Sequence, residues 1–395
     1  VRFLSADEWE ILPSIGNTLV RGLARRNRLT PPGMALDRII LGRFRNHAAS
    51  ALDGAGALNL LVGENGAGKT NVLEAISLFA PGRGLRRAAL ADMAMADGGE
   101  GGFTISARLH TGDEGEAVAL GTGTAPDRPG RRIVQVNGAE ASAASLAEWM
   151  AVGWLTPAMD SLFTDSAGAR RRYMDRLAVA LFPDHAAIAA RFERALRERN
   201  RLLTEPEADA GWFSSIERQL AEAGAALAQR RRELVSQLAA ALAALPEQPF
   251  ARPMLAYRAG GPTEAEELTS ALAGTRRRDR DAGRTLTGPH RDELEVAMAG
   301  KYHPAARCST GEQKAMLIAL TLAHAELASA GRPGVLLLDE VAAHLDPLRR
   351  EALFERLRAG HAQVWLTGTE AAPFAAIAGE AATWRVAGGK VERVG

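Results

Sequence analysis

Lysine is almost missing from this sequence. Of 48 Lys and Arg in 395 residues, only Lys69, Lys301, Lys314 and Lys390 are Lys. Arginine serves nearly everywhere a cation is wanted, so a persisting lysine suggests a place where a compact point charge fits and a planar guanidinium does not. Cysteine is scarcer still. Cys308 stands alone, which excludes a disulfide within the chain and suits a reducing cytosol. The eight histidines show no close pairing with each other or with cysteine, so no zinc site is expected. No apolar run approaches the ~20 residues that cross a bilayer. The opening VRFLSADEWEIL is acidic and has no signal-peptide core. The expectation is a cytoplasmic protein with no membrane partner. An excess of one charge is missing too: the net charge is +1, so any nucleic-acid surface must be a local patch. What is present is 47% hydrophobic residues, enough for a real core, over a length that suits one large or two medium domains.

One stretch organises the rest. In NLLVGENGAGKTNVLEAI, residues 59–76, Gly63, Gly68, Lys69 and Thr70 fit G-x-x-x-x-G-K-[ST]. Leu60, Leu61 and Val62 before it read as a buried strand, and Val72, Leu73, Ile76 and Leu78 after it have helical spacing. A strand feeding a Gly-rich loop that opens a helix aims several backbone N–H groups at one point. That point is also the positive end of the helix, so phosphate binds there. Lys69 is expected to reach the β- and γ-phosphates of ATP, and the Thr70 hydroxyl to hold Mg2+.

The chain divides by pattern. Residues 1–33 have weak periodicity and scattered Arg, and end in Thr30-Pro31-Pro32-Gly33. Met34 is expected to be the natural start and 1–33 a disordered or non-native extension; a basic arm that binds DNA is the competing reading. Residues 34–150 read as the first segment of an ATPase head. Its strands are at 36–41, 104–109 and 132–137, the last closed by Asn137-Gly138, with loop-like, Gly-rich sequence between the second and third. The basic loop PGRGLRR, 81–87, reads as a solvated loop, with an acidic partner or phosphate as the alternative it could face. Residues 151–284 read as a helical arm lobe. Ile216, Leu220, Leu227, Leu234, Leu238, Leu242 and Leu245 make one long amphipathic stripe that Pro246 stops. The Arg runs at 170–172, 197–201, 230–232 and 276–280 read as solvated faces, with a phosphate-contacting stripe as the alternative.

Residues 285–395 return to the head. Val335 to Leu338 are apolar and run into Asp339 and Glu340, a second nucleotide-site strand. Asp339 is expected to steady Mg2+, and Glu340 to polarise the attacking water as general base. Ser309, Gly311 and Glu312 open another helix, a second anion site. In a head-to-tail pair it would meet the γ-phosphate held by the partner's loop; as a bland alternative, Ser309 and Glu312 form a capping box. Residues 384–394 read as a hairpin around Gly388-Gly389.

GENGAGKT, STGEQK and LLLDEVAAHLD together resemble an ATP-binding-cassette head of the SMC type. Phe44-Arg45-Asn46, TGPHRDEL at 287–294, RRRYMD at 170–175 and RERNRLL narrow the resemblance to the RecF family, from about Met34 to the end. The fold class implied is α/β, an ABC/SMC-type P-loop ATPase head with an inserted helical arm lobe. By motif, Gly63, Glu64, Asn65, Gly66, Ala67, Gly68, Lys69 and Thr70 bind nucleotide. Ser309, Gly311 and Glu312 carry the signature, Asp339 and Glu340 the second acidic motif, and Asp346 the D-loop near the opposite subunit. Arg45 and Asn46 are expected to touch nucleotide, and Thr367 or Thr369 to stand where transporters place a switch histidine. The resemblance implies a weak ATPase that forms an ATP-dependent homodimer on duplex DNA and at single/double-strand junctions. With RecO and RecR it would promote RecA loading at gaps and stalled forks, and SOS induction. The alternatives are a transporter ATPase subunit or a general SMC-like DNA clamp. The 246 positions between Gly63 and Ser309 speak against the first, and the shortness of the apolar stripe against the second.

Overall fold

The computed structural model describes residues 35–96, 102–111, 117–205, 209–246 and 248–394. The expected extension 1–33 and the proposed start at Met34 lie outside the described residues. In chain order the strands and helices begin with β1 (Leu36–Phe44), β2 (His47–Asp53), β3 (Leu58–Val62), α1 (Lys69–Ser77), β4 (Phe103–Leu109), β5 (Val118–Ala125) and β6 (Arg128–Val136). Next come β7 (Ala139–Glu140), α2 (Leu146–Trp149) and β8 (Ala151–Leu155). Then follow α3 (Ala167–Leu181), α4 (His185–Thr204), α5 (Ala210–Ala243), β9 (Pro253–Arg258), α6 (Ala265–Gly274), α7 (Arg276–Asp281), β10 (Glu293–Met298), β11 (His303–Pro304) and α8 (Thr310–Ala328). The chain closes with β12 (Gly334–Leu338), α9 (Pro347–Ala359), β13 (Gln363–Gly368), β14 (Ala382–Ala387) and β15 (Lys390–Arg393).

These elements form two compact units. One holds the described residues up to Asp160, residues 248–250 and the described residues from Leu317 on. It contains an antiparallel sheet in the order β2-β1-β4-β5-β6-β7 and a largely parallel sheet in the order β15-β14-β3-β13-β12-β8. Both sheets follow from residue pattern. In β4 the buried and exposed residues alternate strictly, as a sheet with one covered face requires. Every residue of β12 and β13 is buried, as central parallel strands require. Val72, Leu73 and Ile76 of α1 pack in one core with Ile39, Leu41 and Phe44 of β1 and with Leu337, Trp365 and Trp384 of the parallel sheet.

Two expectations change here. The Gly-rich stretch expected to be a loop contains β5, paired with β4 from Phe103↔Thr124 to Leu109↔Val118. Its glycines are there for backbone approach: a Cβ on Gly123 would lie 2.1 Å from the Phe103 carbonyl oxygen. Similarly, β8 falls beyond residue 150 but belongs to the parallel sheet, where it pairs with β12 from Ala151↔Gly334 to Leu155↔Leu338.

The other unit comprises the described residues of 161–246 and 251–316. Residues 285–316, expected in the head, therefore belong here, and β10 pairs antiparallel with β9. The long stripe is α5. Asp209 caps it by accepting from the Trp212 N–H at 2.9 Å, and Ile216, Leu220, Leu227, Leu234, Leu238 and Leu242 are buried. Leu245 lies just past its end. The Arg runs are not uniformly solvated. Arg199 is fully buried and donates to Asp279 and Thr285 at 2.8 Å each, to the Leu272 carbonyl at 2.8 Å, and to Glu217 at 3.2 Å. Arg231 donates to both oxygens of Asp175 and to Asp292, all at 2.8 Å. Arg170 forks onto Glu293 at 2.7 and 3.0 Å. Guanidiniums with little exposure persist where their donors find acceptors, and the runs at 170–172, 197–201 and 230–232 each supply at least one residue to such a network.

Candidate nucleotide site

Strand order assembles the site in the first unit. Strand β13 lies between β3 and β12, with Thr367↔Leu61 and Leu338↔Leu366 in register. The C-terminal ends of three neighbouring strands thus deliver the phosphate loop, Thr367 and Asp339 to one edge, where ligands of open parallel sheets bind. The loop Gly63–Gly68 leaves β3 and turns into α1. Gly68 has φ +118°, and a Cβ there would lie 2.7 Å from His47 Nε2 and 2.8 Å from Asn46 Oδ1. Glu64, Asn65 and Gly66 form the exposed tip, while Ala67, Gly68 and Lys69 are buried.

Lys69 Nζ folds back on its own loop and donates to the Gly63 carbonyl at 2.7 Å and the Glu64 carbonyl at 2.9 Å. Burial lowers its pKa, opposed by the nearby charges of Glu340 and Asp339. The Thr70 hydroxyl lies 3.0 and 3.2 Å from the two Asp339 oxygens. The Thr367 hydroxyl donates to Asp339 Oδ1 at 2.8 Å and accepts from the Glu340 N–H at 2.9 Å. Burial raises the Asp339 pKa, and the hydrogen bonds from Thr367 and Thr70 pull it back. Glu340 itself has φ +54°, a left-handed conformation that disfavours any side chain with a Cβ. Such strain is held by the surroundings, here the bond from the Glu340 N–H to Thr367. Thr70 and Asp339 offer two hard oxygens side by side. That donor set fits Mg2+, which takes one or two protein oxygens and fills its octahedron with phosphate and water.

The remaining sequence candidates take the following places. Arg45, at φ +55°, forks onto Glu74 at 2.9 and 2.7 Å and donates to the Asp92 carbonyl at 2.7 Å. Asn46 donates to the Ala67 carbonyl at 3.0 Å, so it touches the phosphate loop directly. Asp346 caps α9 by accepting from the Arg349 N–H at 3.0 Å. In the second unit, Ser309 and Glu312 form a reciprocal capping box. The Ser309 N–H and hydroxyl donate to Glu312 Oε2 at 2.9 and 3.0 Å, and the Glu312 N–H points to Ser309 Oγ at 3.3 Å. Lys301 donates to the other Glu312 oxygen at 2.8 Å, and Lys301 with Ser309 holds the Glu312 carboxyl at about 2. Gly311 is exposed in the first turn of α8.

Four neighbours of the loop were not singled out from sequence. His47 is fully buried, with Nε2 3.1 Å from the Gly68 carbonyl and Nδ1 3.0 Å from Ser50 Oγ. Asn71 donates to Asn46 Oδ1 at 2.7 Å. Glu74 and Arg86 join the Arg45 network. His47 and Asn71 each directly follow a recognised motif, and that adjacency was the available signal. The segment TGPHRDEL also resolves into parts. Asp292 is buried and accepts from Arg231, Tyr257 at 2.6 Å and the Gly260 N–H at 2.8 Å, whereas Arg291 is exposed.

Comparison with known proteins bears on these features. The sequence profile described as "RecF/RecN/SMC N terminal domain" matches residues 35–379. The chain is 49% identical to "DNA replication and repair protein RecF" of Mesorhizobium japonicum, over 89% of this chain and 96% of the relative. It is 45% identical to the protein of that name from Rhizobium leguminosarum bv. trifolii, over 91% and 99%. Among solved structures it superposes with TM-score 0.82 and 22% identity on the "recombination mediator protein RecF-ATPrS in RecFOR pathway", covering 93% of this chain and 100% of that one. An Smc head domain from Pyrococcus furiosus gives TM-score 0.52 and 16% identity, over 91% and 95%. The fold is an ABC/SMC-type ATPase fold.

Proposed function

Because the chain belongs to the RecF family, we propose that it is a weak, Mg2+-dependent ATPase of DNA replication and repair, whose ATP state governs dimerisation on DNA. The observation that carries this reading is the cluster Thr70–Asp339–Thr367–Glu340 at the mouth of the phosphate loop. Lys69 exchanges the loop carbonyls for the β- and γ-phosphate oxygens. Thr70 and Asp339 would hold Mg2+, which would neutralise phosphate charge. Glu340 takes a proton from water as the water oxygen bonds to the γ-phosphorus. The bond from that phosphorus to the bridging oxygen breaks, and its electron pair leaves on ADP.

The signature acts in trans on this reading. Ser309 and Gly311 meet the γ-phosphate bound by a second copy, and Asp346 lies near the same joint. Glu312 now occupies the Ser309 hydroxyl, so ATP from the partner competes with an internal carboxylate. The DNA partner is duplex with single/double-strand junctions. RecR and RecO are the protein partners, RecA loading and SOS induction the outcome, and the cytoplasm the compartment. Family membership supports this reading, and among the described residues no helix is long and apolar enough to cross a membrane.

The test is ATP hydrolysis with and without gapped DNA. The wild type should turn over slowly, DNA should raise the rate, and retention on DNA should need ATP and fall steeply with salt. Lys69→Ala should abolish nucleotide binding, dimerisation and DNA retention together. Turnover and retention indifferent to both DNA and Lys69→Ala would refute the proposal.

A further inference from the structure

The C-terminal hairpin reaches the phosphate loop. Strand β14 lies beside β3 and turns through Gly388-Gly389 into β15. The hairpin touches the loop at both ends. Where the loop begins, Gly63 packs so closely on β14 that a Cβ there would overlap the Val386 carbonyl oxygen. Where the loop ends, the Gly389 N–H donates to the Ala67 carbonyl at 3.1 Å. Gly389 has φ +73°, and a Cβ on it would overlap the Asn46 carbonyl oxygen. Glycine is therefore needed at 389 twice, for its conformation and for the close approach.

The turn is itself held from behind. Ser50, buried on β2, donates from its hydroxyl to the Gly389 carbonyl at 3.1 Å. The Ala67 and Gly68 carbonyls differ in what fixes them. That of Gly68 is the first acceptor of α1, taking the Asn71 and Val72 N–H groups at 3.0 and 3.2 Å. That of Ala67 lies one residue before the helix, and its donors come from elsewhere: the Gly389 N–H and, at 3.0 Å, Asn46 Nδ2. A trans peptide points its N–H opposite to its C=O. Fixing the Ala67 carbonyl against the hairpin thus aims the Gly68 N–H away from it. That is the side on which the backbone N–H groups of such a loop cradle the α- and β-phosphates.

We propose that Gly389 is a positioning residue of the nucleotide site: its N–H, through the Ala67 carbonyl, sets the direction of the Gly68 N–H toward bound phosphate. This rests on the nucleotide-binding reading above. A donor that grips a phosphate which is not transferred holds the ground state and the transition state alike. It changes affinity and leaves kcat nearly alone.

Affinities for ADP and for a non-hydrolysable ATP analogue, measured by calorimetry with Mg2+, test this beside turnover of the full chain at saturating ATP with gapped DNA. In Gly389→Ala the added methyl pushes the turn off the loop. Affinity for both ligands should fall alike, by ~10-fold or more, with kcat within ~3-fold. Gly388→Ala is the control. Its φ is +53°, and a Cβ there meets nothing within 4 Å, so it carries the backbone cost without the collision and should keep wild-type affinity. Should Gly389→Ala fail to fold by thermal melt, Ser50→Ala decides. It releases the Gly389 carbonyl and should cost ~3-fold or more in both affinities. Wild-type affinity in the deciding variant, a loss confined to kcat, or an equal loss in Gly388→Ala overturns the inference and leaves the nucleotide-binding reading intact. A wild-type protein that binds neither ligand removes both.

Discussion

Glu340 carries the heaviest burden of any single residue. It sits at φ +54°, where a side chain costs about 1–3 kcal/mol, yet glycine would occupy that place without strain. Glu340→Gly is therefore expected to raise folding stability by about 1 kcal/mol while abolishing ATP turnover and sparing ATP binding. Thermal melts beside turnover measurements check this; a destabilised variant, or one that still hydrolyses ATP, counts against the assignment. This residue also marks a limit of sequence reading. Its place at the end of a buried strand was legible because Asp-Glu follows four apolar residues. Its conformation was not, because φ is set by the bond from its N–H to Thr367, a residue 27 positions away. Thr367 or Thr369 was expected at the switch position; the Thr367 hydroxyl holds Asp339 and the Glu340 backbone.

At the scale of elements, the first turn of α8 separates two roles for one hydroxyl. As a helix cap, Ser309 is replaceable by glycine at a cost of a few tenths of a kcal/mol, whereas alanine costs about 1 kcal/mol. As a phosphate contact it is replaceable by neither. Ser309→Gly should therefore melt nearly like the wild type and still lose ATP-driven association. A variant that associates normally identifies Ser309 as a cap alone.

The second unit makes a separate prediction. Burial raises the Asp175 pKa, but His185 and Arg231 override burial and hold it at about 2, against an ordinary 3.8. A depressed carboxyl contributes stability above its unfolded pKa and loses it as pH falls through the folded value. Between about pH 4 and 2 the protein should lose roughly 2 kcal/mol from this group. In Asp175→Asn the acid loss should shrink, as read by denaturant melts at stepped pH. An unchanged acid profile would contradict the pairing.

Elements with strong period, α5 and β4 among them, were readable from sequence. Strand β5 was not, since its glycines mimic a loop until the Phe103 backbone is seen against Gly123. The buried Arg199 and Arg231 likewise look like solvated charge in sequence; their acceptors lie up to 86 residues away.

For the molecule as a whole, the phosphate loop and the signature, far apart in sequence, differ in what the fold establishes. The phosphate loop and Asp339 meet because β3, β13 and β12 are neighbours, an order that local periodicity does not encode. The signature stands in the second unit with its hydroxyl engaged by Glu312, and the proposal assigns its phosphate to another copy of the chain. That assignment is the central claim. The most direct measurement is the solution mass of Glu340→Gln by light scattering with saturating Mg2+-ATP. The account predicts a shift from the 41.9 kDa chain to a stable dimer that is lost when ATP is removed. A variant that binds ATP and remains a single chain would contradict it.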